Sequence, residues 1–276
     1  MMDTAIVHKS KKDLLRWHGH LRDGVSWDDA VRSLQRHTGV KVDGDYGQKT
    51  EIAQTHRWCG CPDIADAGAL RRWAHKNIAF WHDMAIGGVD VRQVVADAIK
   101  AWNDVSGLDM AEVARISECD IFAHYRRIDG RNRTLAWSYL PSPDQRHGTT
   151  QLEQRYDSSE DWAGSDWRLL STMIHELGHA VGLSHSESPS AIMYYSINGT
   201  RAPASDDIRQ IQKRYGKPTT DPDPPPSSGT TITVAGDPLG PGTYDIKKNS
   251  RIVTFRPVAA SPRMVPLEDH QTLAWY

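Results

Sequence analysis

No stretch of the 276-residue chain approaches the roughly 20 consecutive apolar residues that cross a bilayer, so no membrane-spanning helix is expected. The opening MMDTAIVHKSKKDLLRW also lacks an apolar segment of signal-peptide length, and no export address is expected in it; the compartment stays open. Cysteine is scarce. Cys59, Cys61 and Cys119 are too few and too odd a set for a disulfide framework, which leaves at least one thiol free or bound to a metal. An excess of one charge is missing too: 33 Lys and Arg against 35 Asp and Glu give a net charge of -2 and no global basic surface. The longest basic run, Lys9 to Lys12, reads as a solvated patch, and nucleic acid is set aside as a partner.

What is present falls into segments. Ala30, Val31 and Leu34 lie at helical spacing after Trp27, His37 to Thr50 is Gly-rich and reads as a loop, and Thr50 to His56 is helix-like again. In RWCGCPD two cysteines, a glycine and a proline end any helix. From Asn77 the pattern becomes strand (NIAFWH), long amphipathic helix (Val89 to Leu108) and strand (DIFAHY), which argues for a sheet domain. A second helix is expected near Trp167 to Val181, with Gly182 suited to its C-terminal turn, and DDIRQIQKRYG forms a terminal amphipathic helix. DPDPPPSSG is an extended, solvated linker, and TITV, TYDI and RIVTF beyond it read as short strands. The expected class is α+β or α/β. Residues 1–66 form a small helical domain, 67–216 the sheet domain, 217–229 the linker and 230–276 a β-rich tail of unread role.

The chemistry concentrates in HELGHAVGLSH, residues 175 to 185. His175 and His179 stand four apart on a helix and share a face, so both imidazoles reach one ion at ~2.0–2.1 Å. Gly182 lets the chain turn sharply enough to bring His185 back as third ligand, leaving a fourth position for water. Glu176, beside the first ligand, is placed to take a proton from that water and pass it to a leaving amine. The competing reading is an amphipathic helix that happens to carry histidines. Five specified positions in eleven arise by accident in roughly one chain in 10⁴ of this length, which favours the zinc hydrolase.

The extended motif resembles that of the metzincin metallopeptidases, and its surroundings resemble the matrixin branch. LRRWAHKNIAF is similar to the entry to that family's catalytic domain, AIKAWNDVSGL to its first long helix, TLAWSYLP to its middle strand and DDIRQIQKRYG to its last helix. The resemblance implies a twisted mixed sheet with long helices, one catalytic Zn2+, and protein or peptide substrates. AIMYYSI resembles the Met-turn, with Met193 as the floor under the zinc histidines and Tyr195 where the family has proline. RWCGCPD resembles the cysteine switch of latent matrixins, with Cys59 as latent-state zinc ligand, Arg57 bracing the loop and Cys61 as an alternative thiol. The N-terminal segment is similar to the family's peptidoglycan-binding-like prodomain, so it either inhibits or binds cell wall. The family's second, structural zinc is expected to be absent, because Trp137 and Arg155 stand at its strand positions. Asp157 and Glu160 match calcium-binding positions, against the reading of an exposed, solvated pair.

The leading expectation is a zinc-dependent metalloendopeptidase made as a latent precursor. Its rivals are a peptidoglycan-binding protein with an envelope-directed peptidase, and a non-catalytic zinc-binding structural protein.

Overall fold

The computed structural model describes residues 10–55, 58–64, 70–164, 167–196 and 198–218, together with the backbone of 244–247, 252–257 and 263–266. The chain divides into two compact units, Met1–Thr219 and Thr220–Tyr276.

The first unit opens with three helices, α1 (Lys11–Trp17), α2 (Trp27–Thr38) and α3 (Gln48–Thr55). Ser10 caps α1 and pairs reciprocally with Asp13, so Lys11 and Lys12, read as part of a solvated patch, supply the first turn of a helix. Ser26 caps α2, and Gly39 ends it at φ 65, a left-handed conformation that costs glycine nothing. Leu15, Ala30, Val31 and Leu34 form the small apolar centre that these helices share. Buried Gln35 ties the following loop: its Oε1 accepts from Asp43 N and Gly44 N, and its Nε2 donates to Asp43 and Asp45 O. The loop expected over His37 to Thr50 is therefore shorter, because α2 runs through Thr38 and α3 starts at Gln48.

Five strands then form one mixed sheet: β1 (Asn77–His82), β2 (Asp109–Glu112), β3 (Ile121–Arg126), β4 (Ala136–Ser138) and β5 (Leu152–Asp157), in the order β2-β1-β3-β5-β4. β1 pairs in parallel with β2 and β3, β3 in parallel with β5, and β4 runs antiparallel to β5 at the edge. Helices α4 (Val91–Asn103), α5 (Arg168–Ala180) and α6 (Ser205–Tyr215) complete the fold. This is an α+β arrangement with a mixed sheet. Trp102 of α4 is fully buried and donates its indole N–H to the Ile174 carbonyl of α5 at 2.8 Å, so an apolar contact also fixes the helix register.

The last turn of α5 is held from two sides. Trp73 Nε1 donates to Ala180 O at 2.9 Å and Tyr215 Oη to Val181 O at 2.9 Å, satisfying carbonyls that a helix end leaves without partners. Leu183 N donates to Gly178 O and Gly182 N to His179 O, the paired bonds of a Schellman turn. Gly182 adopts φ 100, and a methyl group on it would overlap the Arg71 carbonyl. Two independent constraints thus require glycine where the chain reverses toward His185.

In the second unit β6 (Tyr244–Lys247), β7 (Ile252–Pro257) and β8 (Arg263–Pro266) form an antiparallel sheet in that order. TYDI and RIVTF fall largely on β6 and β7. TITV and the Pro-rich linker lie outside the described residues.

Candidate metal centre

Helix α5 presents His175 and His179 on one face, and the turn at Gly182 returns His185 to them. The three Nε2 atoms converge: 3.1 Å separates His175 from His179, 3.2 Å His175 from His185, and 3.2 Å His179 from His185. Ligands ~2.0–2.1 Å from a tetrahedral ion are about 3.3 Å apart, so the spacing is that of a coordination set. Each Nδ1 faces an acceptor: Ile192 O at 2.7 Å for His175, Leu183 O at 2.8 Å for His179, and Asp63 Oδ1 at 2.7 Å for His185. A neutral imidazole that donates through Nδ1 carries only a lone pair at Nε2. Three lone pairs therefore point at one another, a repulsive arrangement that a cation turns into an attractive one. Burial, followed by the neighbouring His185, pushes His175 down to about 3, which keeps its ring neutral.

Two thiols from the segment after α3 enter this site. Cys59 Sγ lies 3.4 Å from His179 Nε2 and, with the three histidines, makes a buried four-residue group fit for a metal ion. Burial, then Cys61 and Glu176, pushes the Cys59 thiol well up; a divalent cation would reverse that preference and deprotonate it. Cys61 takes a different place. Its Sγ donates to Ser138 O at 3.1 Å, accepts from Ser138 N at 3.2 Å and reaches Glu176 Oε2 at 3.7 Å, while its backbone N–H donates to Cys59 Sγ at 3.3 Å. Glu176 is buried, its Oε1 has no hydrogen-bond partner among the described residues, and burial pushes it up to about 8.

The cysteine segment also lies along the free edge of the sheet. Cys59 bridges Ala136 in parallel, Gly60 N donates to Ala136 O at 3.0 Å, and Leu135 N donates to Trp58 O at 2.8 Å. Trp58, Cys59, Tyr194 and Tyr195 border a small pocket whose other walls are Thr172, His175 and Glu176. Trp58, which stands before Cys59 in the sequence, thus shares this pocket with His175, and the Arg168 guanidinium lies 5.4 Å from its ring centre. Arg57 itself lies outside the described residues.

Met193 is buried, and a methyl group on Gly178 would overlap its sulfur and come within 2.9 Å of Trp102 Cζ2. Glycine at that position lets both side chains press against the helix between His175 and His179. The turn carrying Met193 is anchored by a residue that sequence reading missed. Buried Asp207, on α6, accepts from Ile192 N at 2.9 Å and Met193 N at 3.1 Å, and the Ile192 carbonyl in turn orients His175. Asp63 was likewise missed as a partner of His185, although it ends the quoted RWCGCPD.

Asp157 and Glu160 stand apart from this centre and are buried, not the exposed pair that their charge suggests. Asp157 accepts from the backbone of Ser159 at 2.7 Å and of Asp129 and Gly130 at 3.1 Å each. Burial alone would raise its pKa, but these backbone N–H groups outweigh it and lower the value. Glu160 accepts from Arg133 N and pairs with Arg168 at 3.0 Å. Trp137 and Arg155 face each other across β4 and β5 with the guanidinium 5.0 Å from the indole, and neither is a zinc ligand type. His75, Asp120 and His147 form a further cluster. Its imidazoles are stacked 3.5 Å apart at 15°, so their in-plane lone pairs run parallel and do not meet at one ion.

The family model for matrixins matches residues 72–216. The chain is 29% identical over 245 residues to macrophage metalloelastase of Rattus norvegicus, covering 77% of this chain and 51% of that protein. It is 31% identical over 233 residues to matrix metalloproteinase-27 of Homo sapiens, covering 76% and 43%, and 29% identical over 247 residues to interstitial collagenase A of Mus musculus, covering 83% and 50%. The chain thus spans about half the length of the curated relatives it matches. No described helix is long and apolar enough to cross a membrane. With the mixed sheet, the converging histidines and a family match over more than half of its length, this chain belongs to the matrixin family of metzincins.

Proposed function

We propose that the chain is a zinc-dependent metalloendopeptidase in its latent form, in which residues 1–66 inhibit, 67–216 catalyse, 217–229 link and 230–276 form an accessory segment. The observation that carries this reading is the convergence of three Nε2 lone pairs at 3.1–3.2 Å beside a buried carboxylate. His175, His179 and His185 would hold the ion and Cys59 would fill the fourth position. When bound, zinc would supply a Lewis acid and lower the pKa of a water molecule to around 7. Glu176 takes the proton of the attacking water and returns it to the leaving amine. Met193 packs against the helix at Gly178, and Asp207 holds the turn whose Ile192 carbonyl orients His175.

The free edge of β4 would receive the substrate as an added strand, since its backbone groups already pair with the chain from Trp58 to Cys61. That segment therefore blocks both the strand site and the metal position. Contacts of the N-terminal helices support inhibition over wall binding: Tyr195 Oη donates to Thr38 O at 3.4 Å, and His37 lies 3.3 Å from Glu187.

The test is zinc content together with cleavage of an unstructured protein, before and after limited proteolysis ahead of Trp73. One equivalent of zinc is expected in both states, with hydrolysis only after proteolysis, lost to a chelator and restored by zinc. A chain that binds zinc yet never cleaves would be the structural protein instead. Retention on purified peptidoglycan without inhibition would assign the helices to the wall.

A further inference from the structure

The three histidines differ in what holds their outer nitrogens. His175 and His179 donate to carbonyls of Ile192 and Leu183, both within the matrixin segment, whereas His185 donates to the carboxylate of Asp63, 122 residues earlier, in the inhibitory segment. The contact is 2.7 Å and both side chains are fully buried. Asp63 is itself fixed from the N-terminal helices. His20 Nε2 donates to its other oxygen at 2.7 Å, and Ser33 Oγ on α2 lies 2.9 Å from His20 Nδ1. Ile64 N donates to His18 O at 3.1 Å, and Gly19, at φ 80, presents no side chain where a methyl would overlap the Ile64 carbonyl.

We infer that Asp63 is a positioning residue of the latent metal site: the segment that supplies the fourth ligand also supplies the outer-sphere carboxylate of His185. This rests on the zinc reading proposed above. A carboxylate accepting from the far nitrogen of a ligating imidazole fixes its tautomer and makes it a stronger donor. The precursor accordingly holds zinc more tightly than three histidines and a thiol would without it. Departure of the segment withdraws the carboxylate as well as the thiol, so activation weakens the His185 bond and leaves the ion a stronger Lewis acid at the moment substrate is admitted.

The test uses the full chain loaded with zinc, and separately with cobalt, comparing unaltered protein with Asp63→Asn. Asparagine keeps the shape and removes the charge. Zinc release into excess chelator is expected to be about 10–100-fold faster in Asp63→Asn, the range typical for loss of an outer-shell partner. The thiolate-to-cobalt charge-transfer band should persist, showing Cys59 still bound and the segment seated. Unchanged release with the band intact would overturn the inference. So would faster release accompanied by loss of the band, because the effect would then come from undocking. Failure of the unaltered chain to bind zinc at all would instead sink the zinc reading.

Discussion

Glu176→Gln is expected to retain one equivalent of zinc and lose about 10²–10⁴ of the hydrolysis rate of the activated protein, the usual size of a general acid–base contribution. The amide fills the same volume beside the metal position, and His175 and His179 keep their carbonyl partners at Ile192 and Leu183, which stay with the catalytic segment. What it lacks is a carboxylate that accepts a proton. Glu176 is buried with one oxygen unpartnered, a costly arrangement that packing alone does not explain. Initial rates at measured zinc occupancy decide it. Near-normal turnover with zinc bound would remove Glu176 from the reaction.

The other large effect is release of latency. Full-length protein is expected to be nearly inactive, and Cys59→Ala to recover a large part of the rate seen after proteolysis, because Cys59 Sγ is the thiol beside the three histidines. Cys61→Ala alone should release less. Its sulfur bonds to the Ser138 backbone and caps Glu176, so it holds the segment on β4 and shields the base. The double variant should be the fastest of the three, since the metal position, the base and the edge are then all loosened. Rates are compared under reducing conditions at equal zinc occupancy. If the double variant stays as slow as the unaltered chain while the proteolysed protein is active, the N-terminal helices block the cleft by bulk and the thiols do not latch it.

Several parts of the site were legible because local physics determines them. The spacing of His175 and His179, the apolar face of α5 and the need for glycine at Gly182 are all properties of one helix and its end. β1 and α4 showed their periodicities in the same way. β2 did not, because as an edge strand of four residues it buries only Met110. Helix α1 was hidden because its first turn begins with Lys11 and Lys12, which read as a solvated basic patch. Asp63 and Asp207 could not be read, since each acts on a partner that only the tertiary fold brings near, 122 residues away for His185 and 15 for Ile192. The competing reading of Asp157 and Glu160 as an exposed pair fails because their donors, the backbone of 129–133 and the Arg168 guanidinium, leave no local signature in the sequence. Cys61 reads as an alternative thiol because it lies two residues from Cys59, and only its contacts separate shielding the base from binding the ion.

A closed metal centre of three histidines and one cysteine in the precursor is measured directly by X-ray absorption at the zinc edge of the zinc-loaded full chain. The expected spectrum has three nitrogen neighbours at ~2.0–2.1 Å and one sulfur at about 2.3 Å, with the sulfur replaced by a light atom in Cys59→Ala. A first shell of nitrogen and oxygen without sulfur in the unaltered precursor would contradict it.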